Sequence, residues 1–347
     1  MAGRRPGGPP VRLHPQPPAA HGGATRLPID LSASLNPLGP SPAALTAARA
    51  AGLGRYPEPD ARSLAVAAAA RHGLPPACVV PVPGASWGLW LAIVALAGDG
   101  AACLGLGPCF GEYERLARTA GAAWREARCP APDQAWREAD VAAELSGPCD
   151  VCVLANPANP AGTRLEAGGL RRLCAAHPAV RFVVDEAFAG FAPPGTSLLD
   201  GRPPPDNAVV VRSLTKELAL PGLRMGYLVA PEPVAAALAG VLPAWPLSAP
   251  ALAAAAAGLA DPEHLAAGAA LAARHLGALA AALRSGGLRP LPTCANYLLC
   301  EAPGLAERLA GRGVAVRDCA SFGLPGFVRI AAPRPDDLAA VLEAIRG

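Results

Sequence analysis

The sequence carries little net charge. Its 30 lysine and arginine residues nearly balance 27 aspartate and glutamate residues, so composition gives no footing for nucleic-acid or membrane-surface binding. A cysteine framework is also missing. Ten cysteines are scattered along 347 residues, and the one C-x-x-C pair, Cys149 and Cys152, has no second pair to complete a zinc site. Cys152 lies in the apolar run VCVLA, and residues three apart along a strand face opposite ways. The cysteines therefore read as small core residues of a reducing compartment. No apolar h-region of a secretion signal follows the basic residues of MAGRRPGGPPVRLHPQPPAA. Proline and glycine mark residues 1–20 as a flexible arm. Residues 233–260 carry no charge, but Pro243, Pro246 and Pro250 interrupt them and alanine supplies their bulk, which argues against a membrane span. Nucleotide-binding loops are lacking too: GLGPCFG opens as G-x-G, yet Phe110 stands in place of the third glycine, and Walker spacing does not occur. The expectation is a soluble, cytoplasmic protein.

What is present is alternation. SLAVAAAARHG reads as a helix stopped by glycine, ASWGLWLAIVALAGDG as a helix opening after Pro83–Gly84, AACLGL as a strand, and GEYERLARTAG as another helix. CDVCVLA, VRFVVDEA, NAVVVR and MGYLVA are short apolar runs, mostly separated by helical stretches. This order predicts an α/β fold whose largely parallel sheet is covered by helices on both faces. After about residue 245 the chain changes to a long alanine-rich helix followed by ANYLLCEA and FVRIAA. A large domain over 21–245 and a smaller α+β domain over 246–347 are expected.

In such sheets ligands bind beyond the carboxyl ends of the strands. VCVLA leads into Asn156 and Asn159, RFVVDEAF into Asp185 and Glu186, and VVVRSLTK into Ser213 and Lys216. Alone, Asp185 would read as a helix cap. Together, three strand ends offer an amide, a carboxylate and an amine to one place. Two chemistries compete for SLTKELALPGLRMGY. Ser213 and Lys216 match the S-x-x-K of serine acyl-transfer enzymes, but the S-D-N and K-T-G elements of that class are absent. The alternative is a pyridoxal phosphate site, which needs a lysine for the imine, an ionised acid at the pyridine nitrogen, a donor to the ring oxygen and a phosphate cup. Lys216, Asp185 and Asn159 fill the first three roles. Ser213, Arg224 and the backbone N–H groups of Gly84, Ala85 and Ser86 at a helix start would form the cup, and Phe110 would stack on the ring.

ANPANPAGT, VVDEAF and SLTKELALPGLRMGY, in this order, resemble the fold-type I aminotransferases of class I/II. The resemblance runs from His21 over nearly the whole chain. It implies a homodimer with the active site at the subunit interface, where Tyr56 of RYPEPD would reach the neighbouring subunit's cofactor phosphate. Arg329 of FVRIA resembles the arginine that grips a substrate carboxylate, and Arg317 of VRDC one that reaches a substrate phosphate. His21, Gly22 and Ser34 are implied near the same substrate. Within the family, HGG at 21–23, DLSASLNPLGP at 30–40, FGEYERLARTAGA at 110–122 and VRDCASFGLPGFVRIA resemble the threonine-phosphate decarboxylase branch of cobalamin biosynthesis, related to the histidinol-phosphate aminotransferases. Phe188 fits that branch. Ser34 (where the branch usually has asparagine), Trp87 and Glu217 depart from it. The branch resemblance implies decarboxylation of L-threonine-O-3-phosphate to (R)-1-amino-2-propanol phosphate. The alternative is amino transfer from a phosphorylated or otherwise anionic amino acid to 2-oxoglutarate. A non-catalytic pyridoxal-phosphate-binding module is disfavoured by the intact lysine, aspartate, asparagine and arginine set.

Overall fold

The computed structural model describes residues 14–19, 22–23 and 25–347. Most of the expected N-terminal arm, and His21, lie outside the described residues. The apolar runs form one seven-stranded sheet ordered Val79–Val82, Gly226–Val229, Ala208–Ser213, Arg181–Asp185, Val151–Ala155, Ala102–Gly107 and Ala123–Arg128. Gly226–Val229 runs antiparallel to both neighbours, and the other strands all point one way.

The strands read as unbroken apolar runs because both faces are covered. In Val151–Ala155, Val151 and Val153 pack with the helices Ala85–Leu96 and Glu112–Thr119. Cys152 and Leu154 point the other way, into a core shared with Arg62–His72, Ala167–Ala176 and Ala249–Leu259. Each fully buried valine or leucine contributes about 1.5–3 kcal/mol, so the middle strands carry much of the burial that holds the sheet together.

A second, antiparallel sheet orders Arg317–Asp318, Phe327–Ala331, Tyr297–Glu301 and Arg289–Pro290. The helix Pro262–Ser285 backs it. That helix is long and apolar enough to cross a membrane, but Ala272, Leu276, Leu279 and Leu283 form a stripe at helical spacing packed into the core behind this sheet. Ile29–Asp30 pairs in parallel with Val314–Ala315, and Leu31 enters the same core. Packing therefore places residues 29–31 with the C-terminal core and Ala249–Leu259 with the large one. The division into 21–245 and 246–347 follows the change of composition, which the packing does not respect.

Candidate active site

The parallel strands end on one edge, where Ala155 lies opposite Asp185 and Asp185 opposite Val211. Beyond that edge is a cavity of about 300 Å³. Asn159, Asp185, Ser213, Lys216, Arg224 and Arg329 line it, joined by Gly22, Ala85, Ser86, Phe110 and Arg317. One space thus gathers residues from both sheets and from the N-terminal segment.

One end of the cavity is built for an anion. The helix Ala85–Leu96 opens at Gly84, whose φ of 89° is left-handed and which supplies no side-chain cap. The first N–H groups of a helix have no partner within it, and Ala85 and Ser86, which carry two of them, line the cavity. A Cβ at 84 would stand 2.8 Å from Arg224 Nη2, so a larger residue would also push that side chain aside. Arg224 is fixed by Nη1 donating to the Pro221 carbonyl at 3.0 Å. The Ser213 and Thr215 hydroxyls lie 2.7 Å apart and both line the cavity. Thr215 was not among the expected cup residues, although a second hydroxyl beside the lysine is visible in S-L-T-K.

The opposite end is acidic. Asp185 is buried; its Oδ1 accepts from the Ala187 N–H at 3.0 Å and its Oδ2 from the Tyr113 hydroxyl at 2.6 Å. The bond to Ala187 closes a local turn and not a helix cap, since the next helical turn, Ala189–Phe191, has Phe188 at its N-cap and no side-chain cap. Burial raises the Asp185 pKa, opposed by the Tyr113 hydrogen bond, the Ala187 N–H and the Lys216 charge. Burial, together with Arg329 and Arg224, lowers Lys216 from 10.5 to about 8, against the pull of Asp185. An amine so placed exchanges its proton near neutral pH.

Between these ends, Arg329 orients the amide of Asn159. Its Nη1 donates to Asn159 Oδ1 at 2.5 Å and its Nη2 to the Ser32 carbonyl at 2.8 Å, while the guanidinium lies over the Tyr297 ring at 5.0 Å. With its oxygen taken, Asn159 has its NH₂ left to donate. Arg317 stands opposite Arg329 in the strand register. Its Nη2 donates to Ser321 Oγ at 2.7 Å and its guanidinium lies over Phe322 at 5.3 Å. Like charges directly across a strand pair repel, so an anion between these arginines would relieve the site. Phe188 also lines the cavity, edge-on to Tyr297 at 4.9 Å.

Other expected residues stand elsewhere. Ser34 is buried but does not line the cavity, and its hydroxyl has no hydrogen-bond partner. Tyr56 is 81% exposed and stacks on Trp245 at 4.7 Å, away from this chain's cavity. Trp87 is half-exposed on the helix beyond the cup, edge-on to Trp90.

Glu186 and Glu217 serve the scaffold. Arg212, fully enclosed, donates to Glu186 at 3.1 Å and to Glu217 at 2.8 Å. Arg71 approaches Glu217 Oε2 at 2.7 Å as an ion pair that lacks hydrogen-bond geometry. Burial, then Arg212 and Arg71, hold His72 down to about 3, so it meets the Tyr227 hydroxyl as a neutral ring at 2.8 Å. Burial would raise Glu217, but Arg71 and Arg212 hold it below the usual carboxylate range. Asn36 ties this cluster to the lysine turn, its N–H donating to the Lys216 carbonyl and its Nδ2 to that of Glu217, each at 3.0 Å. Arg212→Met should strand two buried carboxylates with one arginine, and the unfolding free energy should fall by about 3–5 kcal/mol. Urea unfolding of that variant and of Arg212→Met with Glu186→Gln checks this; the second change removes the carboxylate left without a cation and should recover part of the loss.

The residues fit pyridoxal 5′-phosphate: an anion cup at one end, a carboxylate at the other, and an amide donor and a lysine between them. Fold and site define a pyridoxal-phosphate-dependent enzyme of fold-type I. The profile of the family described as aminotransferase class I and II matches residues 27–345, and the chain belongs to that family. The histidinol-phosphate aminotransferase of Ruegeria pomeroyi is 34% identical over 333 residues, covering 92% of this chain and 90% of the relative. That of Rhodospirillum centenum is 33% identical over 338 residues, covering 93% and 92%. The crystal structure of histidinol-phosphate aminotransferase from Sinorhizobium meliloti, in complex with pyridoxal-5′-phosphate, has the same fold. Its TM-score is 0.82 at 22% identity, over 90% of this chain and 88% of that one.

These relatives overturn the decarboxylase expectation. The motifs behind it, a helix-start cup, a lysine and an aspartate, are ones that amino transfer needs equally. At the position where the branch would show asparagine, Ser34 is not among the residues that line the cavity.

Proposed function

We propose that the chain is an aminotransferase of the histidinol-phosphate type, moving an amino group between histidinol phosphate and 2-oxoglutarate. The observation that carries this reading is the pair Arg317 and Arg329, opposed in register on two paired strands at the cavity wall. A phosphate on one substrate and a carboxylate on the other are the groups a guanidinium grips best. The names of the relatives agree with it.

Bound in the cup, pyridoxal phosphate supplies an electron sink for the pair of electrons left when a bond to the substrate Cα breaks. The protein does the rest. Ser213, Thr215, Arg224 and the open N–H groups of Ala85 and Ser86 hold the phosphate. Asp185 keeps a proton on the ring nitrogen, and the Asn159 NH₂ donates to the ring oxygen. Lys216, with its pKa lowered to about 8, takes the Cα proton and gives it back. Arg329 would grip the carboxylate of the glutamate and 2-oxoglutarate partner, and Arg317 the phosphate of histidinol phosphate.

A homodimer completes this reading, with Tyr56 entering the neighbouring subunit's site. The exposed Leu53, Tyr56, Val241 and Trp245 support it. A cytoplasmic setting is part of the same proposal.

Histidinol phosphate with 2-oxoglutarate should yield glutamate, and phosphothreonine should release no carbon dioxide. Failure of amino transfer with this pair removes the proposal. Arg317→Ala should weaken half-saturation by histidinol phosphate roughly ten- to hundred-fold, as for a hydrogen bond to a charged group worth about 1.5–3 kcal/mol. Histidinol without phosphate should bind poorly and alike in both proteins. Steady-state kinetics on both substrates measures this coupling.

A further inference from the structure

The mechanism above leaves one buried polar side chain without a role. Tyr113, 1% exposed, sits behind the cavity wall on the helix Glu112–Thr119. The same turn places Phe110 in the cavity; the Tyr113 N–H donates to the Phe110 carbonyl at 2.9 Å and the rings meet edge-on at 5.7 Å. Tyr113 spends its hydroxyl on Asp185 Oδ2 at 2.6 Å. With the Ala187 N–H on Oδ1, each carboxylate oxygen has one internal donor and a lone pair left over.

We propose that Tyr113 is a positioning residue that acts through Asp185: its hydroxyl fixes the carboxylate and decides that the proton shared with the cofactor's ring nitrogen rests on nitrogen. A proton between a pyridine nitrogen and a carboxylate goes to whichever has the greater proton affinity. Each hydrogen bond donated to the carboxylate lowers the affinity of the acid. Burial does the reverse, raising Asp185, and Tyr113 is the first-ranked of the groups that counter it, ahead of the Ala187 N–H and Lys216. The phenol keeps its own proton, since burial and the Asp185 charge push its pKa well above the ordinary tyrosine value. The other titratable groups facing the pair are Lys216 and Tyr297 on the Asp185 side and Cys109 and Tyr297 on the Tyr113 side. Tyr297 spends its own hydroxyl on the Ala158 carbonyl at 2.8 Å, so it does not replace the donor.

The proposal rests on the reading of Asp185 as the ring nitrogen's partner, and the test separates the two. The holoenzyme is loaded with pyridoxal phosphate labelled with ¹⁵N in the ring, and the nitrogen shift is followed between pH 6 and 9, a window of roughly neutral pH set by the lysine and carboxylate ranges. In wild type the shift should be that of a protonated pyridine. In Tyr113→Phe, which removes one oxygen and keeps the ring packing, it should move toward unprotonated pyridine. Turnover should fall roughly ten- to hundred-fold, the range expected for a lost hydrogen bond to a charged group, with KM nearly unchanged. Adding Tyr113→Phe to Asp185→Asn should move the shift no further. A wild-type shift in Tyr113→Phe together with a displaced one in Asp185→Asn overturns the proposal alone. A wild-type shift in Asp185→Asn overturns the reading beneath it.

Discussion

Replacing Lys216 with alanine is expected to abolish turnover while leaving the phosphate cup able to bind the cofactor. Losing a positioned proton carrier commonly costs about 10²–10⁴-fold, and the same change removes the amine that would hold the cofactor covalently. Chemistry of the chain makes the assignment unusually clean, because Lys216 is its only lysine. Borohydride treatment of the yellow holoenzyme should leave the cofactor mass on the peptide containing Lys216. An adduct on the N-terminal amine, or no adduct, would sink the reading.

Lys216 also carries a stability cost whose sign can be worked out. Its pKa falls from 10.5 to about 8 through burial and two arginines. Below about 8 both folded and unfolded chains bind the proton, and the folded chain bears the whole penalty of burying it. From about 8 up to 10.5 the folded amine is neutral while the unfolded one is still charged, so cofactor-free stability should rise with pH across that window. Lys216→Met should therefore raise the melting temperature of the cofactor-free protein at pH 7 even as it removes activity. Such opposition of activity and stability is common at functional sites. Thermal unfolding of both proteins at pH 7 and pH 10 checks it, and the gain should shrink at the higher pH.

The cofactor end of the site was legible because each of its groups ends a strand or opens a turn. Asp185 closes VVD, Lys216 follows VVVRS, and Asn159 lies in a proline-rich turn after VCVLA; local pattern places all three on one edge once the sheet is parallel. Tyr113 had no such signal. It reads as one residue of an amphipathic helix, and its bond to Asp185 spans 72 positions in sequence. Arg212, Glu186 and Glu217 were equally hidden, since charged residues are rarely enclosed and pattern alone assigns them to a surface. The departure at Glu217 acquires a reason from packing: its carboxylate fills the space that a side chain on Gly190 would need. The substrate branch was the least legible part. Amino transfer and decarboxylation share the cup, the lysine and the aspartate, and they diverge through the tilt of one carboxylate. No residue count records a tilt.

Asp185→Asn should lower turnover by about 2.7–4 kcal/mol in the barrier, on the order of a hundred- to a thousand-fold. The change is nearly isosteric, which makes it informative. The asparagine oxygen can still accept from the Ala187 N–H, now 3.0 Å from Oδ1, so the turn after the strand stays closed. The NH₂ that takes the place of Oδ2 can donate to the Tyr113 oxygen, so the helix behind the cavity keeps its contact with the direction of the bond reversed. What the amide cannot do is carry the charge that holds a proton on the ring nitrogen. Folding stability and cofactor retention should therefore stay close to wild type while turnover collapses. Urea unfolding, cofactor dialysis and single-turnover kinetics on one preparation read these separately. If Asp185 only closed that turn, the variant would keep nearly full turnover. If it were only a core group, stability and turnover would fall together. A fall in turnover alone is the outcome that a charge aimed at the ring nitrogen requires.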